Sequence, residues 1–332
     1  MKPLVSILIP SYNAGQWIAE TLECCLAQTW PNNEIIVVDD GSKDDSLKIA
    51  KTFESRGVKV IAQPNAGSAA ARNTALRHAT GDYIQYLDAD DLIDLRKIEV
   101  RVAALEANPG AIASGKWARF FTSIKGITIP DEPTTRDFEP IEFLTFLANH
   151  HRMMPLHAWL VPRAVSDAAG LWDDRLSIDI DGEYFARVVV KSALIKFVPE
   201  AMCYYRIGNA ASVSRIRNEK TWTSAFLANE LFAKTVLAAE DSARTRSAMA
   251  RRTQRHIYES YPSAVEARRK AAEFVASLGG SDLQPEGTRI FRALRRIVGW
   301  KLAKRIQLKV HASGYLERKI AQKRAREAAR TG

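Results

Sequence analysis

No run of about 18 uncharged apolar residues occurs in the chain, so the sequence predicts no transmembrane helix. Its start, Met1-Lys2-Pro3-Leu4-Val5, passes directly into a strand-like segment. It lacks an apolar stretch with a small-residue cleavage site, which argues against a signal peptide. Cysteine is scarce: Cys24, Cys25 and Cys203 are the only three among 332 residues. Adjacent cysteines rarely bridge each other and the count is odd, so buried free thiols in a reducing compartment, the cytoplasm, are expected. The six histidines do not cluster at metal-ligand spacing. His150-His151 and His157 precede a strand-like segment and are read as packing residues, or as neighbours of an acceptor. Acid is nearly missing from one region. Residues 289 to 332 hold 14 Lys/Arg and two acids, Glu317 and Glu327, a local charge of +12. The whole chain carries +10, so the other 288 residues sum to −2. The protein is a near-neutral globule with a basic tail.

What is present is a strand-helix alternation. Val5-Ser6-Ile7-Leu8-Ile9-Pro10 is a short apolar run. A helix over residues 16–28 puts Trp17, Ile18, Leu22, Cys25 and Leu26 on one face. Strands follow at 34–40, 59–63 and 83–87, with helices from Ser42 or Asp44 to about residue 55 and over residues 67–79. Alternation with near-continuous apolar strands predicts an α/β fold, a mostly parallel sheet flanked by helices. In such sheets ligands bind at the carboxyl ends of the strands. Four strand ends carry polar residues there: Ser11-Tyr12-Asn13, Asp39-Asp40-Gly41-Ser42, Asn65-Ala66-Gly67 and Asp88-Ala89-Asp90-Asp91. Residues 111–206 mix short strands (117–124, 159–161, 195–199) with helices (141–148, 182–191). Residues 222–274 read as helical, and the glycine-rich stretch 279–287 as a linker.

Three carboxylates within Asp88-Ala89-Asp90-Asp91 repel one another unless a cation, backbone donors or full exposure relieves them. Asp88 and Asp90 at a strand end suit Mg²⁺ or Mn²⁺ shared with phosphate oxygens. The bland alternative is an acidic turn in which Asp91 or Asp94 caps the next helix. Asp39 or Asp40 could accept from a base N–H or a ribose hydroxyl, and Tyr12 offers an aromatic face to a base.

These residues, with Gln28-Thr29-Trp30, Ala71-Arg72-Asn73 and Gly81-Asp82-Tyr83-Ile84-Gln85-Tyr86-Leu87, keep one order across about 90 residues. In that order and spacing the chain resembles the family 2 glycosyltransferases, which have the GT-A fold. The resemblance implies a GT-A-type Rossmann-like sheet with a C-terminal helical extension. It divides the chain into a nucleotide-sugar half (1–110), an acceptor and catalytic-base half (111–215), a helical extension (216–285) and a basic tail (286–332). It implies donor contacts from Pro10, Tyr12, Asp39, Asp40, Arg72, Asp88 and Ala89, with Arg72 reaching the base or phosphates. It implies a divalent cation, Mn²⁺ or Mg²⁺, on Asp90 and Asp88. The reaction implied is inverting transfer from a nucleotide sugar, a UDP-sugar foremost, to a hydroxyl of a glycan or lipid-linked acceptor in cell-surface polysaccharide synthesis.

The resemblance places the base in Asp179-Ile180-Asp181-Gly182-Glu183: the family usually has an acidic pair some six residues before an arginine, and counting back from Arg187 implies Asp181, with Asp179 and Glu183 as alternatives. Ile180 replaces the first acid of the family's usual pair. Asp181 as a plain helix cap is the competing reading. After Tyr204-Tyr205-Arg206 the family can carry a metal-binding histidine, but here Ile207-Gly208-Asn209 follows. Ser212 and Ser214 could belong to a loop closing over the diphosphate. Alternatives of other classes are a nucleotide-sugar-binding scaffold that has lost its base, and a sugar nucleotidyltransferase. The latter wants a glycine-rich phosphate loop after the first strand, which residues 11–16 do not offer. In the tail, Ile290, Leu294, Ile297, Val298 and Leu302 share a helical face among Arg and Lys. This suits an anionic membrane surface through residues 289–310, at the inner face of the cell membrane, or a helix packed on the core with a solvated basic face. No nucleic-acid partner is expected, for want of an ordered aromatic platform.

Overall fold

The computed structural model describes residues 2–129, 132–208 and 218–312. Four parallel strands form its centre: β1 (Val5–Ser11), β2 (Asn33–Asp39), β3 (Val58–Ala62) and β4 (Tyr83–Tyr86), in the order β3-β2-β1-β4. Ile7, Leu8, Ile9, Ile36, Val37 and Val38 are all fully buried, so both faces of the sheet are covered. Helices α1 (Ile18–Leu26), α2 (Ser46–Lys51) and α3 (Ser68–His78) follow β1, β2 and β3. Ser11 lies opposite Asp39, and Asp39 opposite Ala62. That register brings the carboxyl ends level and delivers the loops after them to one rim.

The chain continues through β5 (Leu92–Ile93), α4 (Lys97–Glu106), β6 (Ile112–Phe120), α5 (Pro140–His150), β7 (Val161–Pro162), α6 (Arg163–Ala169), α7 (Ile180–Lys191) and β8 (Ile195–Arg206). β7 joins the first sheet antiparallel to β4, while β5, β8 and β6 form a second sheet in that order. The two sheets interleave across residue 110. β5 precedes it and belongs to the second sheet, and β7 follows it and completes the first.

Two buried basic side chains tie α4 to the segment after α5. Lys97 and Arg101 are fully buried on one face of α4 and donate to the carbonyls of Trp159 (3.3 Å) and Ala158 (2.5 Å). Gly115 of β6 leaves the space Arg101 needs, since a Cβ there would lie 2.3 Å from its guanidinium and 2.9 Å from the Val198 carbonyl. The segment after α5 is thereby fixed, and His157 with it.

The polar residues read as helix caps act otherwise. α2 begins only at Ser46, preceded by Asp45 with no side-chain cap. Ser42 Oγ accepts from Asn13 N at 3.0 Å, and Asp44 accepts from Gly15 N at 3.0 Å and Ser46 N at 3.0 Å. These side chains tie the loops after β1 and β2 to each other. α4 starts after Arg96, and Asp94 accepts from Arg96 N while Asp91 turns inward.

The expected helical run of 222–274 is three helices: α8 (Glu219–Ala239), α9 (Ala243–Ser260) and α10 (Val265–Ser277). Asn218 with Thr221, and Ser242 with Thr245, form capping boxes that start α8 and α9. Pro262 cannot continue α9. α8 packs on α7, and α9 on α5, so this part is a wall of the main body and not an appendage. Residues 279–287 are irregular, as expected of a linker. The tail helix α11 (Arg289–Ala312) is two helical segments broken at Gly299, whose φ is +74°.

Candidate active site

The rim opens into a cleft of about 1720 Å³. Pro10, Ser11 and Tyr12 line it from the end of β1, Asp40 from β2, Asn65, Ala66 and Gly67 from the loop before α3, and Asp88, Ala89 and Asp90 from β4. The four strand ends singled out in the sequence therefore meet in one place. Tyr12 is 47% exposed and stands at the edge with a ring face available for stacking.

Asp40 and Asp39 divide their work. The Asp40 carboxylate accepts from Gln63 Nε2 (2.7 Å), Ala66 N (2.9 Å) and Gly67 N (2.8 Å). Three of its about four acceptor positions are filled, so it is rigidly aimed with one left for a ligand. Asp39 does not line the cleft. Its Oδ2 accepts from Ser42 N at 3.0 Å, and its buried Oδ1 has no hydrogen-bond partner among the described residues. Its part is to hold the turn behind Asp40, so the direct donor contact expected of it is not the one this geometry offers.

The acidic cluster splits in the same way. Asp88 and Asp90 face the cleft, and Asp91 is fully buried behind it. Burial, reinforced by the charges of Asp91 and Asp88, pushes the Asp90 carboxyl up to about 7. Asp91 Oδ1 accepts from Arg206 N at 2.7 Å, and its Oδ2 lies 3.0 Å from His157 Nδ1. Burial raises the Asp91 carboxyl well above the usual range and lowers the His157 imidazole to about 3. Burial thus favours the neutral form of each group. Arg206 completes the support, donating to the Asp90 carbonyl (2.6 Å) and to Glu20 (2.6 Å).

Arg72 is the link between the two halves. Its buried guanidinium lies 2.9 Å from Asp88 Oδ1 and 3.1 Å from Asp181 Oδ1. It stacks over Trp172, 4.6 Å from the ring centroid. Trp172 is clamped in turn, because its N and O exchange two 2.9 Å hydrogen bonds with the Asn73 side chain. It also lies flat on Tyr184, with centroids 3.9 Å apart. Two carboxylates and an indole engage Arg72, while its buried Nε has no hydrogen-bond partner among the described residues.

Of the three base candidates, Asp179 and Asp181 both line the cleft and Glu183 does not. Asp181 lies in the cleft, its side chain 37% exposed. Burial pushes its carboxyl up to about 6, with Arg72 opposing and Asp88 and Asp179 adding to the rise. Asp179 precedes α7 in a left-handed conformation (φ +56°) and pairs with Arg252 at 2.8 Å. Gly182 leaves it room, since a Cβ there would come within 2.9 Å of its carboxylate. Glu183 is buried outside the cleft and is held by Arg187 at 2.7 and 2.8 Å. Asp181 is not a helix cap, because that position belongs to Asp179 and makes no side-chain cap bond.

The far half of the cleft is built by the helices. His151, Arg152 and Met153 after α5, Trp222 of α8, and Arg252, Arg255 and Glu259 of α9 line it. His151 lies 3.4 Å from Glu259, whereas His150 is exposed against the Phe146 carbonyl. Sequence reasoning quoted Asn73, Asp91 and Arg206 within motifs and read His157 as packing or as a neighbour of an acceptor, but it gave Trp172 and the His157–Asp91 contact no part in this site. Ser212 and Ser214 lie outside the described residues. No group of three or more His, Cys, Asp or Glu among the described residues is arranged to hold a metal ion. Asp88 and Asp90 fit a cation only if a ligand supplies the remaining oxygens.

Residues 6–166 match the profile of a family described as glycosyl transferase family 2. An uncharacterized glycosyltransferase of Haemophilus influenzae is 36% identical over 156 residues, which cover 46% of this chain and 60% of that protein. An Escherichia coli protein, the UDP-Glc:alpha-D-GlcNAc-diphosphoundecaprenol beta-1,3-glucosyltransferase WfgD, is 39% identical over 115 residues, covering 34% of this chain and 46% of that one. The chain thus spans less than two thirds of the length of these curated relatives. Among solved structures, TarS 1-349 of S. aureus in complex with UDP superposes with a TM-score of 0.65 at 18% identity. That match covers 84% of this chain and 81% of the other. It shows that the fold is shared.

Proposed function

The chain belongs to glycosyl transferase family 2, and we propose that it moves a hexosyl residue, with inversion, from a UDP-sugar to a hydroxyl of a glycan or lipid-linked acceptor. The carrying observation is Arg72, which sets donor-side Asp88 and the acceptor-side base Asp181 on one guanidinium inside the cleft. The UDP held by TarS and the UDP-Glc and diphosphoundecaprenol in the name of the E. coli relative support the donor and acceptor classes. Assembly of a cell-surface polysaccharide fits both.

In this reading Tyr12 stacks on the base and the remaining acceptor position of Asp40 takes a base N–H. Pro10 and Ala89 form the floor beneath the nucleotide, with Asp39 holding the turn behind it. Asp88 and Asp90 are the side chains that would hold a divalent cation, Mn²⁺ or Mg²⁺, which when bound neutralises charge on the departing diphosphate. The Asp181 carboxylate takes the proton from the acceptor hydroxyl. The hydroxyl oxygen bonds to the anomeric carbon from the face opposite the phosphate. The bond from that carbon to the phosphate oxygen breaks, and the nucleoside diphosphate leaves with its electron pair. A carboxyl at about 6 is more basic than an ordinary aspartate and still ionised at neutral pH. Arg72 keeps it ionised in a site where burial alone would protonate it.

The test is nucleoside diphosphate release from a panel of nucleotide sugars with Mn²⁺ and candidate acceptors. Asp181→Asn should abolish acceptor-dependent release while donor binding, read by thermal shift, stays nearly intact. Full activity in that variant would remove Asp181 from the mechanism.

A further inference from the structure

The tail helix carries a surface that the transfer chemistry does not use. Half of the exposed large apolar side chains among the described residues lie on α11, a 24-residue helix: Ile290, Ile297, Val298, Leu302, Ile306, Leu308 and Val310. The helix is docked through its other side. Phe291 and Ala303 are buried, and Trp300 sits edge-on against Tyr258 and Tyr261, with both centroid distances 5.0 Å. The expectation of a single apolar face is therefore corrected: one side holds the body and a second apolar side faces out.

After the break at Gly299, Leu302, Ile306 and Val310 follow one another at four-residue spacing and form one exposed row. Lys301, Arg305 and Lys309, also exposed, form a parallel row one position before it. Before the break, Ile290 and Ile297 stand among exposed Arg289, Arg292 and Arg296. No acidic residue occurs anywhere in α11. No helix among the described residues is long and apolar enough to cross a membrane.

We infer that α11 lies flat on an anionic phospholipid bilayer, its outer apolar rows in the acyl boundary and its Lys and Arg among the headgroup phosphates. Apolar rows between basic ones suit a surface that offers both hydrocarbon and phosphate. A nucleic-acid backbone leaves the apolar rows without a partner. A second copy pairing through the same helix sets like charge against like charge. The position of the helix adds a consequence. Tyr258 and Tyr261, which hold Trp300, flank Glu259, and Glu259 lines the acceptor half of the cleft. A docked α11 therefore brings α9, which supplies part of the cleft wall, close to the lipid surface. The docking stands independently of glycosyl transfer; delivery of a lipid-linked acceptor rests on the function proposed above.

The test uses the full chain in flotation with vesicles of phosphatidylcholine alone and of phosphatidylcholine with equal phosphatidylglycerol. The unaltered protein should float with the anionic vesicles and lose binding as salt rises. In a Leu302→Asp, Ile306→Asp variant each change should lower partitioning about tenfold. Replacing Lys301, Arg305 and Lys309 together by Gln should lower it about 100-fold. Both variants should keep the nucleoside diphosphate release of the parent, and the apolar one its melting temperature; Arg305 also lies over the Tyr261 ring at 5.7 Å and Lys301 over the Trp300 ring at 5.9 Å, so the melting temperature of the basic variant is read alongside to confirm its fold. Equal binding to neutral vesicles, no vesicle binding, or unchanged binding in both variants would overturn the inference. So would preferential capture of a single-stranded RNA, or a dimer in light scattering that Leu302→Asp, Ile306→Asp dissociates without any vesicle binding. Vesicle binding and nucleotide release are read separately. A chain that floats but releases no nucleoside diphosphate would count against transfer and leave the docking intact.

Discussion

Replacing Arg72 by Gln removes the charge that keeps Asp181 ionised, and the size of the effect follows from the geometry. The guanidinium nitrogen is 3.1 Å from the Asp181 carboxylate. Two unit charges about 4 Å apart interact by about 4 kcal/mol at an effective dielectric constant of about 20. The Asp181 side chain is 37% exposed, so solvent screening reduces this to about 2 kcal/mol. At about 1.4 kcal/mol per pKa unit, the carboxyl should rise from about 6 to about 7.5. The acid limb of kcat/KM should move up by the same amount. At pH 6.5 the ionised fraction falls from about three quarters to about one tenth, a loss of about eightfold in rate. At pH 8.5 that part of the loss should vanish. The assay is nucleoside diphosphate release between pH 5.5 and 9, with melting temperatures to confirm that the variant is folded. A deficit that is the same at every pH, with the limb still near 6, would refute the role given to Arg72.

Three further outcomes follow from other parts of the site. Glu183→Gln breaks the buried pair with Arg187 and should cost about 2 kcal/mol of stability in urea, yet leave turnover per folded molecule unchanged; lost turnover in a folded variant would restore Glu183 as a base candidate. Asp90 at about 7 sets protons against a cation, so the Mn²⁺ concentration giving half-maximal release should rise up to about tenfold per pH unit below neutrality; a requirement independent of pH would contradict the cation reading. His256 is held at about 3 in the folded protein by burial, with Arg252, His151 and Arg255 adding to the fall. Below about pH 6.5 the unfolded chain takes up a proton that the folded chain refuses, so stability should fall as pH drops toward 3. His256→Gln should flatten part of that decline, and an identical pH profile would contradict the assignment.

The nucleotide rim was legible because it is local. Each polar cluster lies at or within a few residues of the end of a short apolar strand, and parallel strands in register bring those ends together. What the sequence hid lies in contacts between distant segments. Asp91 looked like a cap because Asp before a helix usually is one, but its partners are Arg206, 115 residues away, and His157. Ser42 and Asp44 misled in the same way, since their hydrogen bonds cross to a loop 29 residues earlier. Arg72 could be placed on α3 from the pattern, but not its reach to Asp181, which depends on Asn73 fixing Trp172 beneath it. In α11 the apolar positions were readable, but not that Phe291, Trp300 and Ala303 would turn to the body of the protein.

The most direct test of the account compares acceptor-dependent nucleoside diphosphate release by the parent chain and by Asp181→Asn, with UDP-sugars and Mn²⁺, alongside donor binding by thermal shift. The account predicts release by the parent, none above background by the variant, and nearly equal donor-induced stabilisation of both. Equal release by the two proteins, or donor binding with no release by the parent across all common donors and acceptors, would contradict it.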